Sequence, residues 1–572
     1  MTRPVCALLL WTALAFAIDQ PIEKQLHVRV TMRDGVRLDT NVFRPPGSAR
    51  WPTLLVRTPY GKGADISPNN RAFVDHGYAV VVQDVRGRHD SEGVFHPYEQ
   101  EGPDGEDTLS WIARQPWSDG KVGMMGGSYL GVAQWQVAVR NPPQLKAIFP
   151  AVSGYDEYID RFYSRGGAFK VGHRLLWIAE NLRDYSGPPN FDEISRHVPL
   201  RSSDRVAAGH SVDWYQRALD HPSYDAFWKG NSVKEKLEHL RVPVFSLGGW
   251  FDNYGQSDLD AFAELRRLGH VAHTIIGPWP HNMADRFTTV DYGPDANLGI
   301  RKAQFDWFDH WLKNKDTISG LAPVLYFTMG ENRWHDSTAW PPPESRPVPL
   351  YLASKGHANG LGGDGTLDVK KKRAAAVDEF VYDPRNPVPT RGGAICCNFK
   401  VFPPGPLDQR QVERRLDVLV YTGEELKKDL EVTGVVRVQL HISASTPDTD
   451  FTAKLVDLYP DGTALSVTDG MLRLRYRNGL DKPELAKPGE IYSITIDAGA
   501  TSQVFRKGHH IRLEISSSNF PRFDRNPNTG RPIADETELR TSRQFVHHGG
   551  IQASALILPV IRRKASHETT KK

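Results

Sequence analysis

The sequence predicts an α/β protein: a largely parallel sheet, a helical insertion and a separate all-β domain. Three observations carry this. Apolar strand-like runs alternate with helical spacing from about residue 52 to residue 313, as a parallel sheet covered on both faces requires. The strand signal fails between about Ser153 and Leu240. Beyond the proline-rich stretch Trp340 to Pro349 the apolar period is mostly two, the spacing of short half-buried strands. At 572 residues the chain is too long for one ordinary core, so two or three domains are expected.

In order, LHVRVTM and VRLDTNVFRP alternate around the turn signal Asp34-Gly35, which predicts a hairpin. Pro52 to Tyr60 and Tyr78 to Asp84 are continuous apolar runs of buried-strand type,. A helix is expected over Asn69 to His76 and another over Asp107 to Gln115, with the loop Arg86 to Gly93 between the second strand and that helix. Leu145 to Val152 is a further strand. The aromatic-rich stretch that follows, with Tyr155, Phe162, Trp177, Trp214 and Trp228, reads as a helical cap. Most of these rings are expected in the cap core, and a few against a pocket at the cap–sheet junction. The sheet resumes with Val242 to Trp250, a helix over Ser257 to Leu268 and the strand Ala272 to Trp279. The amphipathic helix Ala303 to Lys313 is expected to close the unit. Short alternating runs after the linker, with a hairpin at Asp461-Gly462, read as a sandwich or jelly roll.

Lys+Arg minus Asp+Glu is 71 − 68 = +3, which gives no reason to expect nucleic acid or an anionic membrane as partner. The basic stretch Arg562 to Lys572 is read as a frayed tail. Thr2-Arg3, the apolar run Val5 to Ala17 and the A-x-A site Ala15-Phe16-Ala17 form a signal-peptide pattern, so a secreted or periplasmic protein cleaved after Ala17 is expected. Cys6 would be lost with that segment. Of the three cysteines, Cys396 and Cys397 would be left, and adjacent residues are poorly placed for ordinary bridge geometry; no disulfide is expected. Asp448-Thr449-Asp450 lacks a full calcium-loop pattern and reads as turn chemistry, so no metal site and no cofactor are expected.

The organising stretch is Lys121 to Gly131, KVGMMGGSYLG. An apolar strand ends in two glycines, a serine follows, and helical spacing begins. This is a nucleophile elbow, in a variant of G-x-S-x-G with one more residue before the last glycine. A serine nucleophile needs a base, an acid that orients the base, and oxyanion donors. In an α/β-hydrolase sheet they lie at the carboxyl ends of strands in the order Ser, Asp, His. Ser128, Asp252 and His281 stand in that order, the last two just after strand-like runs. His270 and His273 lie at the wrong end of their strand, and the pairs His509-His510 and His547-His548 read as surface or turn residues. The N–H of Tyr129 is one oxyanion candidate. The loop after the strand ending at Tyr60 lacks a glycine run, and a phenol is a competent neutral donor, so Tyr60 is the second candidate.

RTPY, RGRHDSEG, QPWSDGKVGMMGGSYLG, GGWFDN and GPWPH together resemble the cocaine-esterase/X-prolyl dipeptidyl-peptidase family of serine hydrolases. That family also includes α-amino-acid ester hydrolases and glutaryl-cephalosporin acylases. SASTPDTDF and GHHIRLEISSSNFPRFDRNPNTG resemble its C-terminal jelly roll, so the likeness runs from about Gln25 to Pro559. It implies Ser128 as nucleophile, His281 as base, Asp252 as its partner, and Tyr60 hydroxyl with Tyr129 N–H as oxyanion hole. The expected division is signal peptide 1–17, hydrolase domain 18–152 and 241–340, cap 153–240, linker 341–349, jelly roll 350–561 and tail 562–572.

The expected activity is hydrolysis of an ester or amide of a small molecule through an acyl-enzyme. An X-prolyl dipeptidyl-peptidase is the alternative, and it would need carboxylates placed for a substrate ammonium. Asp156, Glu157 and Asp160 could serve, but are read as solvated cap charges. A silent hydrolase scaffold with a binding jelly roll is the second alternative. The β domain is read as buttressing the active-site rim or mediating self-association into a homo-oligomer.

Overall fold

The computed structural model describes residues 21–563 apart from 188, 298 and 397; the signal-peptide pattern and the chain beyond residue 563 lie outside these. The predicted hairpin forms from β1 (Glu23–Thr31) and β2 (Arg37–Arg44), antiparallel across Asp34-Gly35. β3 (Trp51–Thr58), β4 (Ala79–Asp84), β5 (Ser118–Gly127), β6 (Leu145–Ala151), β7 (Val244–Gly249) and β8 (Ala272–Gly277) follow. With β9 (Val324–Thr328) and β10 (Arg333–Ser337) the sheet order is β1-β2-β4-β3-β5-β6-β7-β8-β9-β10. From β4 to β9 all neighbours are parallel.

Successive residues of the buried strands feed opposite faces. Leu55, Val81, Met124 and Ile148 pack with Leu109, Ile112 and Trp135, on the side of α2 (Glu101–Ala113) and α3 (Tyr129–Ala138). Leu54, Val80, Met125 and Phe149 pack with Phe73, Trp307 and Phe308, from α1 (Pro68–Asp75) and the helix Ile300–Lys313. That last helix does not close the unit, as the sequence suggested. The short run VLYFT forms β9 beside β8, and β10 returns antiparallel. At five residues each, these strands are too short to show a firm period.

Between β6 and β7 lie a π-helical turn Glu157–Phe162, α4 (Val171–Asn181) and several short helices. Tyr158, Phe162, Trp214 and Trp228 form the core of this cap. Part of the stretch read as linker is strand, since β11 (Arg346–Ala353) begins inside it. Pro347 and Pro349 fit because that end of β11 pairs only with the strand Ala555–Ile561, while β12 (Thr366–Asp368) joins from Tyr351 onward; a residue without an N–H is tolerated on a half-open edge. From here to Ile561 eleven strands form one hydrogen-bonded array around a main apolar core with a smaller satellite at Val388, Val412, Val418 and Val420, the jelly roll.

Several expectations for this domain need correction. His509 is buried and bonded to Asp457 at 2.8 Å, and His548 is buried against Asp378 at 2.9 Å. His510 and His547 lie within strands. Asp448 and Asp450, read as turn chemistry, are both buried, with Arg475 and Arg473 as partners. Short sequence windows cannot show the partner strands that cover these polar groups. Arg563, placed in the frayed tail, bonds Glu431 at 2.7 Å and the Tyr326 hydroxyl at 3.2 Å. Cys396 is disulfide-bonded, against expectation. Ordinary bridge geometry governs cysteines on separated backbone segments, and the other cysteines here, Cys6 and Cys397, are outside the described residues.

Arg473 ties the jelly roll to the cap. It bonds both oxygens of Asp450 at 2.9 and 3.0 Å and Asp524 at 2.8 Å. Asp524 in turn accepts the N–H of Phe169 at 2.8 Å. Removing one member of such a buried network leaves uncompensated charge. Arg473→Met is expected to lower stability by about 3–5 kcal/mol, read from urea unfolding.

Candidate active site

β5 ends in Gly126 and Gly127, and the chain turns at Ser128 with φ 59° and ψ −126° before α3 begins. That is a conformation an L-residue reaches at a cost of about 1–3 kcal/mol, and the turn lifts the serine side chain off the end of the strand. Gly126 has φ 131°, and a Cβ there would lie 2.6 Å from Leu130. The more distant Gly131 is needed for a related reason. A Cβ on it would lie 2.5 Å from Ser153, so α3 rests directly on the chain leaving β6.

Asp252 follows β7 and is buried; one oxygen accepts the Tyr254 N–H at 2.9 Å. Its other oxygen lies 2.6 Å from His281 Nδ1, on the chain leaving β8. A carboxylate can only accept, so the proton of this bond sits on Nδ1 and leaves Nε2 as the basic nitrogen. No hydrogen bond joins Ser128 to His281, a contact that commonly tightens only as substrate binds. The Tyr254 ring packs edge-on to His281 at 5.7 Å between centroids.

Tyr60 stands just past β3. The residue is 41 % exposed, yet its hydroxyl end is enclosed, and burial raises its pKa above that of an ordinary phenol. The hydroxyl accepts from Trp177 Nε1 at 3.3 Å and interacts with the Ser128 side chain. With its lone pair so engaged, the neutral phenol has its proton to donate. Tyr129 is the first residue of α3, so its N–H is one of the orphan donors of a helix start. Its side chain is locked below: the hydroxyl donates to Glu101 at 2.8 Å and accepts the Tyr98 N–H at 3.2 Å. Glu101 is held by Arg57 at 2.6 Å; burial raises the Glu101 pKa and Arg57 opposes that.

The structure therefore joins Asp252 to His281 and sets the Tyr60 hydroxyl near the Ser128 side chain. Sequence reasoning placed Trp177 only among cap aromatics, and did not single out Glu101, Arg57 or His173. Arg57 stands in the quoted RTPY block, and a charged residue ending a buried strand is itself a signal of a buried partner. His173, on α4, lies 3.4 Å from the Tyr254 hydroxyl; burial and the neighbouring Arg174 keep its pKa well below the ordinary value, hence neutral.

The cap carboxylates are not solvated. Asp156, Glu157 and Asp160 are all buried. Asp156 accepts the Tyr158 N–H at 2.9 Å, and Asp160 accepts the N–H groups of Tyr155 and Asp156 at 2.8 Å. Glu157 pairs with Arg161 at 3.2 Å. Burial pushes Asp156 up to about 6 and Glu157 up to about 7.

An elbow serine on a doubly covered parallel sheet, with a histidine–carboxylate pair at the ends of two later strands and a jelly roll behind it, defines a serine hydrolase of the α/β-hydrolase fold. Residues 34–283 match the X-Pro dipeptidyl-peptidase (S15 family) and residues 317–557 the X-Pro dipeptidyl-peptidase C-terminal non-catalytic domain. Cocaine esterase of Rhodococcus sp. (strain MB1 Bresler) is 40% identical over 567 residues, covering 94% of this chain and 98% of that protein. An α-amino acid ester hydrolase structure superposes with a TM-score of 0.84 at 25% identity, covering 98% of each chain. An aminopeptidase from the marine sediment archaeon Thaumarchaeota archaeon also gives 0.84, at 26% identity, over 98% of this chain and 99% of that one. The chain belongs to the cocaine-esterase/X-prolyl dipeptidyl-peptidase family, and is a serine hydrolase acting on esters or peptides.

Proposed function

We propose that this protein is an exported esterase in which His281 Nε2 deprotonates Ser128 as the serine attacks an ester carbonyl. Asp252 holds the imidazole tautomer and stabilises the imidazolium. The Tyr60 hydroxyl and the Tyr129 N–H take the charge that develops on the carbonyl oxygen. His281 then returns its proton to the leaving alcohol, and water hydrolyses the acyl-enzyme by the reverse sequence. The single observation carrying this reading is the 2.6 Å Asp252–His281 bond beside the strained elbow at Ser128. Export rests on the pattern from Thr2 to Ala17. Among the described residues no helix is long and apolar enough to cross a membrane.

The second reading, an X-prolyl dipeptidyl-peptidase, is disfavoured by the cap. Asp156, Glu157 and Asp160 are buried and engaged with backbone N–H groups and Arg161. Asp156 Oδ2 accepts no hydrogen bond, but a substrate ammonium would have to enter the cap core to reach it. The test compares p-nitrophenyl acetate with Ala-Pro- and Gly-Pro-p-nitroanilide, with fluorophosphonate labelling of Ser128 alongside. Ester turnover and labelling without anilide cleavage is the expected result. Cleavage of the anilides would establish the peptidase, and an unlabelled serine would establish a silent scaffold.

Tyr60→Phe keeps the ring and removes only the hydroxyl. It is expected to lower kcat about 100- to 1000-fold with KM little changed, the usual cost of one oxyanion donor. A loss under threefold would assign that donor elsewhere.

A further inference from the structure

Six of the large apolar side chains exposed among the described residues gather at one edge of the jelly roll. The edge strand is β13 (Ala376–Tyr382), at one end of its array. Val377 and Val381 are exposed, and lie on one face because they are four residues apart along a strand,. The loop leading into β13 carries Val369, 75 % exposed. The turn after the strand Ser542–His548 brings Ile551 beside that loop, since Gly550 N–H donates to the carbonyl of Lys372 at 3.1 Å; Ile551 is 93 % exposed. On the other flank, Asn359 donates to the carbonyls of both Glu379 and Leu416 at 2.9 Å, which holds the exposed Leu416 and Leu361 against β13.

The same loop carries Lys370, Lys371, Lys372 and Arg373, all exposed. Lys372 pairs with Asp368 at 3.1 Å, while the other three have no carboxylate partner among the described residues. Of the acidic groups nearby, Glu379 pairs with Arg543, Asp417 with Arg415, and Asp378 is buried against His548. Asp364 accepts the Lys355 N–H and is one carboxylate against three unpaired cations. The edge is thus apolar with uncompensated positive charge. Solvent accounts for the lysines alone, but not for aliphatic side chains exposed beside them.

We propose that this edge docks on a bilayer surface bearing anionic headgroups. Val369 and Ile551 enter the headgroup–acyl boundary, and Lys370, Lys371 and Arg373 meet the phosphates. A second copy of the chain fits less well. A two-fold contact is self-complementary and would set one basic run against the other. Strand addition to β13 is hindered as well, because Asn359 already occupies the Glu379 carbonyl on its free edge,.

The test is co-sedimentation of the purified protein with phosphatidylglycerol/phosphatidylcholine vesicles, beside phosphatidylcholine alone. Binding to the anionic vesicles that weakens with salt is expected. Each basic residue near such a surface contributes about fivefold in affinity, so the triple variant Lys370→Gln, Lys371→Gln, Arg373→Gln is expected to bind about 100-fold more weakly. Ile551→Asp is expected to weaken binding also, and both variants should keep full ester turnover, since these residues lie in the jelly-roll loops and not among the groups assigned to catalysis. No binding at low salt, or equal binding by the triple variant, overturns the proposal. A dimer in sedimentation equilibrium that Ile551→Asp dissolves would give the surface to a second copy instead.

Discussion

Ser128→Ala is expected to lower kcat for p-nitrophenyl acetate by about a million-fold, the loss seen when a triad nucleophile is removed. The substitution is informative because it leaves the elbow intact. Alanine keeps the Cβ of serine and meets the same backbone restriction at φ 59°, so the fold and the tight turn through Gly126 are undisturbed. What disappears is the attacking oxygen. A residual rate of about 1000- to 10000-fold over water would be left from binding and the oxyanion donors, and it should itself fall on adding Tyr60→Phe. Stopped assays with the purified variant, its circular dichroism unchanged, provide the measurement. Retention of more than a hundredth of the activity would show that another group attacks the substrate.

Asp252→Asn is expected to lower kcat about 10000-fold. Its oxygen partner, the Tyr254 N–H at 2.9 Å, is satisfied equally by an amide oxygen, so the loop keeps its shape. The amide nitrogen then faces His281 Nδ1, where the carboxylate oxygen lay at 2.6 Å. Two donors cannot meet, so the imidazole must place its proton on Nε2 and present a donor to Ser128 in place of an acceptor. The loss falls on kcat and leaves KM largely unchanged, because Asp252 is buried and acts through His281. Equal loss in kcat and KM with a weakened fold would mark Asp252 as a structural residue only.

The site was legible to different degrees for identifiable reasons. Ser128, Asp252 and His281 could be named from the chain because each stands within a few residues of the end of a strand, and strands of a parallel sheet declare themselves by unbroken apolar runs. Tyr60 follows the same rule. Trp177 could not be placed, since a cap helix shows its apolar spacing without showing which ring reaches over the sheet. The reading of Asp156, Glu157 and Asp160 as solvated failed because a charged segment gives no sign of its own burial. In the folded chain their partners are backbone N–H groups and Arg161. The Glu101–Tyr129 bond beneath the elbow spans 28 positions and has no local signature at all.

Net charge misleads in the same way. A total of +3 averages over the chain, while Lys370 to Arg373 stand together at one edge with Ile551, which is nearly 180 residues away in sequence. By itself the sequence determined the alternation of strand and helix, the elbow, the order of serine, aspartate and histidine, and the separate β domain, since these depend on local spacing and on which residues follow which strand. Tertiary structure alone decided the buried ion pairs, the enclosure of the Tyr60 hydroxyl and the gathering of apolar and basic groups around β13. Those properties arise between segments distant along the chain, and burial and charge compensation exist only once such segments are packed together.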